Sequence, residues 1–147
     1  YDIKVVQNKM KSDKAILVFV DDFIGTGHTA EKCFQSVNLL DNILNRTMVL
    51  ALVAQEEGVK CIESFGIKVY SGMVRKKGIT DYYDVKEAKE KIILMEEIEE
   101  KMAIKKEYRF GYGASEALVT MCRTPNNTFP VFWEEKGNMK LAPFPRG

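Results

Sequence analysis

Two adjacent carboxylates, Asp21 and Asp22, stand between an apolar run and a glycine-bracketed turn, Gly25-Thr26-Gly27-His28-Thr29. Carboxylates accept hydrogen bonds from hydroxyls, or hold a cation directly or through water. The turn suits another chemistry. Gly25 and Gly27 open backbone angles closed to other residues and let the main chain come close to a ligand. Thr26, Thr29 and the N–H groups around them can donate to a phosphate at a helix start, where the helix dipole also favours an anion. Acids beside a phosphate conflict unless one ligand satisfies both. A sugar phosphate does so, offering hydroxyls or a bound cation to Asp21 and Asp22 and its phosphate to the turn. A helix cap or a solvated turn accounts for the same residues without a ligand, and the residues alone leave both readings open.

Other constellations add little chemistry. His28, the only histidine, either lends a protonated imidazole to an anion or serves the geometry of the turn. One histidine excludes a His-based triad and a His metal cluster. No Gly-Lys-Ser/Thr follows a suitable glycine spacing, which excludes a Walker loop. Asn126 and Asn127 either face the site and read a base or pyrophosphate, or are turn chemistry after Pro125.

The elements that must position these residues follow from pattern. Ile16 to Val20 is an uninterrupted apolar run, which suits a strand buried on both faces at the centre of a parallel sheet. With Thr29 as cap, Ala30, Cys33, Phe34, Val37, Leu40 and Leu44 trace one face of a helix ending near Asn45. Met48–Ala54 reads as a second buried strand, Gln55–Phe65 as a short helix stopped by Gly66, and Ile67–Tyr70 as a third strand. Strand, helix, strand, helix, strand at this spacing predicts right-handed crossovers and a parallel sheet. The turn then lies at the carboxyl edge, where open α/β sheets bind ligands.

The rest is more loosely read. Ile3–Val6 is a β-branched patch suited to an edge strand, and Asn8–Lys14 a surface turn. Ser71–Tyr83 is a basic, glycine-bearing loop that either closes over the site or is solvated. Asp84–Lys105 predicts a long helix with Val85, Ala88, Ile92, Met95, Ile98 or Glu99, and Met102 inward. Its other side docks on a neighbour or faces solvent. Tyr108–Gly113 breaks it, Ala114–Leu118 is a helical turn, Val119–Cys122 a fourth strand, and Phe129–Trp133 an edge strand or extended segment. Residues 134–147 form an irregular tail.

These residues resemble a known family. An apolar strand, two acids, two spacers and Gly-Thr-Gly-x-Thr are similar to the phosphoribosyl-pyrophosphate motif of type I phosphoribosyltransferases. The spelling Asp-Asp-Phe-Ile-Gly-Thr-Gly resembles most the phosphoribosyltransferase-like domains of bacterial conflict and antiphage-defence systems. Gly111-Tyr112-Gly113 and Thr124 to Trp133 carry the same resemblance near the end of the chain. The resemblance implies an α/β fold with a doubly wound, mainly parallel sheet over residues 15–133. It gives Asp21 and Asp22 a catalytic role, holding the ribose 2′- and 3′-hydroxyls and, through these or water, Mg²⁺. Gly25 to Thr29 would cradle the 5′-phosphate. The implied reaction is displacement at ribose C1 of phosphoribosyl pyrophosphate, or cleavage of a related nucleotide. The alternative is a non-catalytic sensor of nucleotide or sugar phosphate. Family members place a pyrophosphate loop upstream of this motif. The expectation is therefore the C-terminal part of a larger polypeptide, inactive alone, whose site a protein partner or the N-terminal segment completes.

Bulk properties bound these readings. At 147 residues, one domain with a real core is expected. A net charge of +1 makes no general case for nucleic acid or a membrane surface. Cys33, Cys61 and Cys122 are too few and too far apart for a disulfide framework, so free thiols in a reducing cytoplasm are expected.

Overall fold

A computed structural model describes residues 3–12, 14–37, 41–135 and 142–146. Within the chain lie two compact units, 1–75 and 76–147.

The first unit is a three-stranded parallel sheet of β1 (Leu17–Ile24), β2 (Thr47–Gln55) and β3 (Lys68–Arg75), in that spatial order. Its helices are α1 (Ile3–Lys9), α2 (His28–Val37), α3 (Asp41–Leu44) and α4 (Glu56–Glu63). The expected α/β alternation with parallel pairing is thus present. Phe19, Val49 and Val69 lie in register on one face and pack with Phe34 of α2 and Ile62 of α4, which is fully buried. Phe34 meets Phe19 and Phe65 edge-on, with ring centroids 5.2 and 5.9 Å away.

Several expectations change. The central strand is β2, whereas β1 lies at the sheet edge. Nor is β1 buried on both faces: Val20 pairs in register with Leu50, and Leu50 with Tyr70, and all three are exposed, Val20 at 78%. A continuous apolar run states what a strand is made of, not how many layers cover it. β1 also runs on through Asp21 and Asp22, because the apolar Phe23 and Ile24 pair with Val53 and Ala54. β3 continues past Tyr70 to Arg75, and Gly72, read as a loop residue, lies against the Leu52 carbonyl. Ile3–Val6 belongs to a helix rather than a strand. The single helix expected as far as Asn45 becomes α2 and α3; Leu40 of its predicted stripe lies outside the described residues, as do residues 38 and 39.

The second unit is built on α5 (Val85–Lys101), capped by Asp84, whose carboxylate accepts the N–H groups of Lys86 and Glu87 at 3.0 and 2.9 Å. Ala88 of α5 packs with Ile79 and Phe129 in a separate core. The rest is irregular. No strand forms at Val119–Cys122; a lone parallel bridge joins Ala117 to Thr128. Ala114–Leu118 is not a helical turn, since Ala114 and Glu116 have φ near +50°. Pro130–Phe132 is a 3-10 turn in place of an edge strand, as Pro at its first position favours. The basic loop 76–80 is held by Glu116, whose carboxylate accepts from the N–H groups of Ile79 and Thr80 and from the Thr80 hydroxyl. In the tail, residues 142–146 have no helix or strand, and Arg146 stacks over Trp133.

Candidate functional site

The candidate site lies in the first unit, at the carboxyl end of β1. Successive side chains leave a strand on opposite faces, so Asp21 and Asp22 start on opposite sides of the sheet. The Asp21 carboxylate turns back to accept the Asp22 N–H at 2.9 Å. Partial burial holds its pKa above the usual aspartate range, and the neighbouring Asp22 carboxyl raises it further. Both acids are exposed. A shallow cavity of about 510 Å³ beside them is lined by Val20, Asp21, Asp22, Leu50, Ala51 and Leu52.

Two residues, Phe23 and Ile24, separate the acids from the turn, and both are buried. Gly25, Thr26 and Gly27 are buried too, while His28 and Thr29 are exposed. α2 begins at His28, and the Gly27 carbonyl accepts the first intrahelical bond from the Glu31 N–H at 3.0 Å. Gly27 is therefore the cap, and Thr29, the expected cap, lies inside the first turn. The N–H groups of His28, Thr29 and Ala30 precede the first intrahelical donor and have no acceptor within the helix. They are the donors an anion would meet. Thr26 contributes differently from expectation: its buried hydroxyl lies 3.0 Å from His28 Nδ1.

The turn is seated on α4. Gly27 has φ +85°, and a Cβ there would lie 2.8 Å from Cys61 Cβ and 2.9 Å from its Sγ. A Cβ on Gly58 would lie 2.7 Å from Ile24 Cγ2 and inside contact distance of the Gly25 carbonyl oxygen. Sequence reasoning missed Gly58 and Cys61. The available signal was Gly58, a residue that costs a helix interior about 1 kcal/mol relative to Ala and so marks a close approach.

Among the described residues no group of three or more His, Cys, Asp and Glu could hold a metal ion. Two exposed carboxylates suit an ion such as Mg²⁺ only if water and ligand phosphates supply its other positions, which is the habit of that ion.

Asn126 and Asn127 belong to the second unit and hold its turns. The Asn126 carbonyl accepts from the Tyr112 N–H at 2.8 Å, and that of Asn127 from the Ser115 hydroxyl at 2.6 Å. Asn127 Nδ2 donates to the Tyr112 carbonyl at 3.3 Å. A Cβ on Gly111, which has φ +80°, would collide with the Asn127 carbonyl oxygen.

A parallel sheet whose first strand carries paired acids and turns tightly into a helix sets this chain among α/β proteins with a strand–turn–helix at the carboxyl edge. The family model PRTase-CE matches residues 1–146, and the chain belongs to that family of phosphoribosyltransferase-like domains. No curated protein matches it. Among the described residues no helix is long and apolar enough to cross a membrane.

Proposed function

We propose that the first unit binds the ribose 5-phosphate group of phosphoribosyl pyrophosphate or a related nucleotide, as part of a defence-system effector that transfers or cleaves the phosphoribosyl group. One observation carries this reading. Two exposed carboxylates and the exposed first turn of α2 share one end of one strand, joined by five buried residues. Asp21 and Asp22 take the ribose hydroxyls, and the N–H groups of His28 and Thr29, with those of the turn, take the 5′-phosphate. The open surface beside the acids leaves room for a sugar. Membership of a phosphoribosyltransferase-like family supports phosphoribosyl chemistry in general.

Fixing both ends of the sugar fixes C1, so the chain's contribution is chiefly orientation. When bound with the pyrophosphate, Mg²⁺ would offset charge on the leaving group. Asp21 and Asp22 would meet that ion through water or the ribose hydroxyls. Titration calorimetry with ribose 5-phosphate and with phosphoribosyl pyrophosphate, with and without Mg²⁺, tests the binding. Saturable, Mg²⁺-dependent uptake is expected, and no uptake of either ligand overturns the reading. Pyrophosphate release from phosphoribosyl pyrophosphate and Mg²⁺ once base or nucleotide acceptors are added, followed for this chain beside the full-length protein, separates a transferase from a module that binds without turnover.

A further inference from the structure

We infer that Gly58 and Cys61 of α4 are positioning residues that hold the Gly25–Gly27 turn, and through it the donors of His28 and Thr29, in the geometry an anion needs. The inference rests on the ribose-phosphate reading above. Residues three apart on a helix share one face, and this face of α4 is turned towards β1 and the turn. Gly58 leaves room for the Gly25 carbonyl, and Cys61 fills the space that a side chain on Gly27 would occupy. Burial pushes the Cys61 thiol up, and Glu31 and Glu57 add to this. Its contribution at neutral pH is therefore volume rather than nucleophilic reactivity. The glycines of the turn and the small face of α4 are thus complementary. A methyl group at 58, or a larger side chain at 61, has to lift the turn.

The test uses the full chain and four variants: Gly58→Ala, Cys61→Leu, Cys61→Ala and Gly66→Ala. Gly66 is the control. It has φ +78° with nothing within 4 Å of an added Cβ, so its substitution strains α4's exit without touching the turn. Amide resonances of residues 25–29 are followed by NMR during titration with ribose 5-phosphate and Mg²⁺. Gly58→Ala and Cys61→Leu are expected to shift these resonances and weaken binding by about tenfold or more, the cost of misaligning one charge-assisted hydrogen bond. Gly66→Ala is expected to keep wild-type affinity, and Cys61→Ala, which removes the sulfur beside Gly27, to weaken binding less than Cys61→Leu does. Folded Gly58→Ala and Cys61→Leu with unmoved resonances and unchanged affinity would overturn the inference, as would an equal loss in Gly66→Ala. Should Gly58→Ala not fold, Cys61→Leu against Gly66→Ala carries the test. If the wild type takes up no ribose 5-phosphate, the ribose-phosphate reading fails. The positioning inference is then decided by the ligand-free resonances, supported if they move in Gly58→Ala and Cys61→Leu but not in Gly66→Ala, and overturned otherwise.

Discussion

Gly27 meets two demands at once, a left-handed backbone angle and the Cys61 side chain beneath it. Gly27→Ala is therefore expected to destabilise the fold by about 1–3 kcal/mol, read by denaturant unfolding, and to lose phosphate affinity. The glycine pattern that suggests a phosphate is explained just as well by packing on α4, so the acids are the sharper probe. Asp21 and Asp22 are exposed, and changing both to Asn is expected to shift stability by no more than about 0.5 kcal/mol. The same change should abolish Mg²⁺-dependent binding of ribose 5-phosphate; unaltered affinity in the folded double variant would argue against the site. Because the pKa of Asp21 is raised, it gains its proton at a higher pH than an ordinary aspartate. Mg²⁺-dependent affinity is expected to fall on acidification, starting at a higher pH than an ordinary aspartate would give. In Asp21→Asn this part of the pH profile should vanish.

At the scale of the element, α5 shows how a helix pattern can hide a polar anchor. Its stripe includes Glu99, which is fully buried, while Val85 at its start is 88% exposed. Glu99 Oε2 accepts the Phe110 N–H at 2.7 Å, holding a residue whose φ is +60°. Its other oxygen is buried without a partner among the described residues. Burial pushes its pKa up to about 7 from 4.5, against the pull of the Phe110 N–H and of Arg109. A carboxyl that binds its proton more tightly when folded contributes stability that is full below about pH 4.5 and lost as pH rises through about 7. The unfolding free energy of the wild type is expected to drop by on the order of 2–3 kcal/mol across that window. Glu99→Gln keeps an acceptor for Phe110 and removes the titration, so urea unfolding from pH 5 to 8 should show a flatter profile. At the start of the same helix, Asp84→Ala leaves two N–H groups uncapped and should cost about 1 kcal/mol.

At the scale of the molecule, each unit has its own core. In the first, Ile62→Ala removes a fully buried side chain and is expected to cost about 2–5 kcal/mol. The loss should be read by amide exchange at Val49 and Ala54. In the second, Phe129 is 1% exposed, and Phe129→Ala should cost about 3–5 kcal/mol, read at Ala88 and Ile92. Undiminished protection in either variant would show that the core had been misidentified.

Local chemistry was legible in the sequence where one period or one residue type decides the matter. The apolar runs of β1 and β2, the helical face containing Phe34, the stop at Gly66 and the start of a long helix at Asp84 all need only near neighbours along the chain. The same holds for the family motif, which is a contiguous string. What depends on distant residues was not legible. Phe23 and Ile24 extend β1 because Val53 and Ala54 are there to pair with them, and Gly72 stays in β3 because Leu52 lies beside it. The sequence left Ile98 or Glu99 open as the inward residue, and Glu99 is the fully buried one because Phe110 offers it an N–H eleven residues on. Gly58 and Gly25 meet across thirty-three positions of chain, and neither residue alone announces the contact. Spacing specified a turn that could hold a phosphate. That this turn rests on Gly58 and Cys61 of α4 was decided by tertiary packing, because the two segments are far apart along the chain and meet only when the helix lies against the sheet.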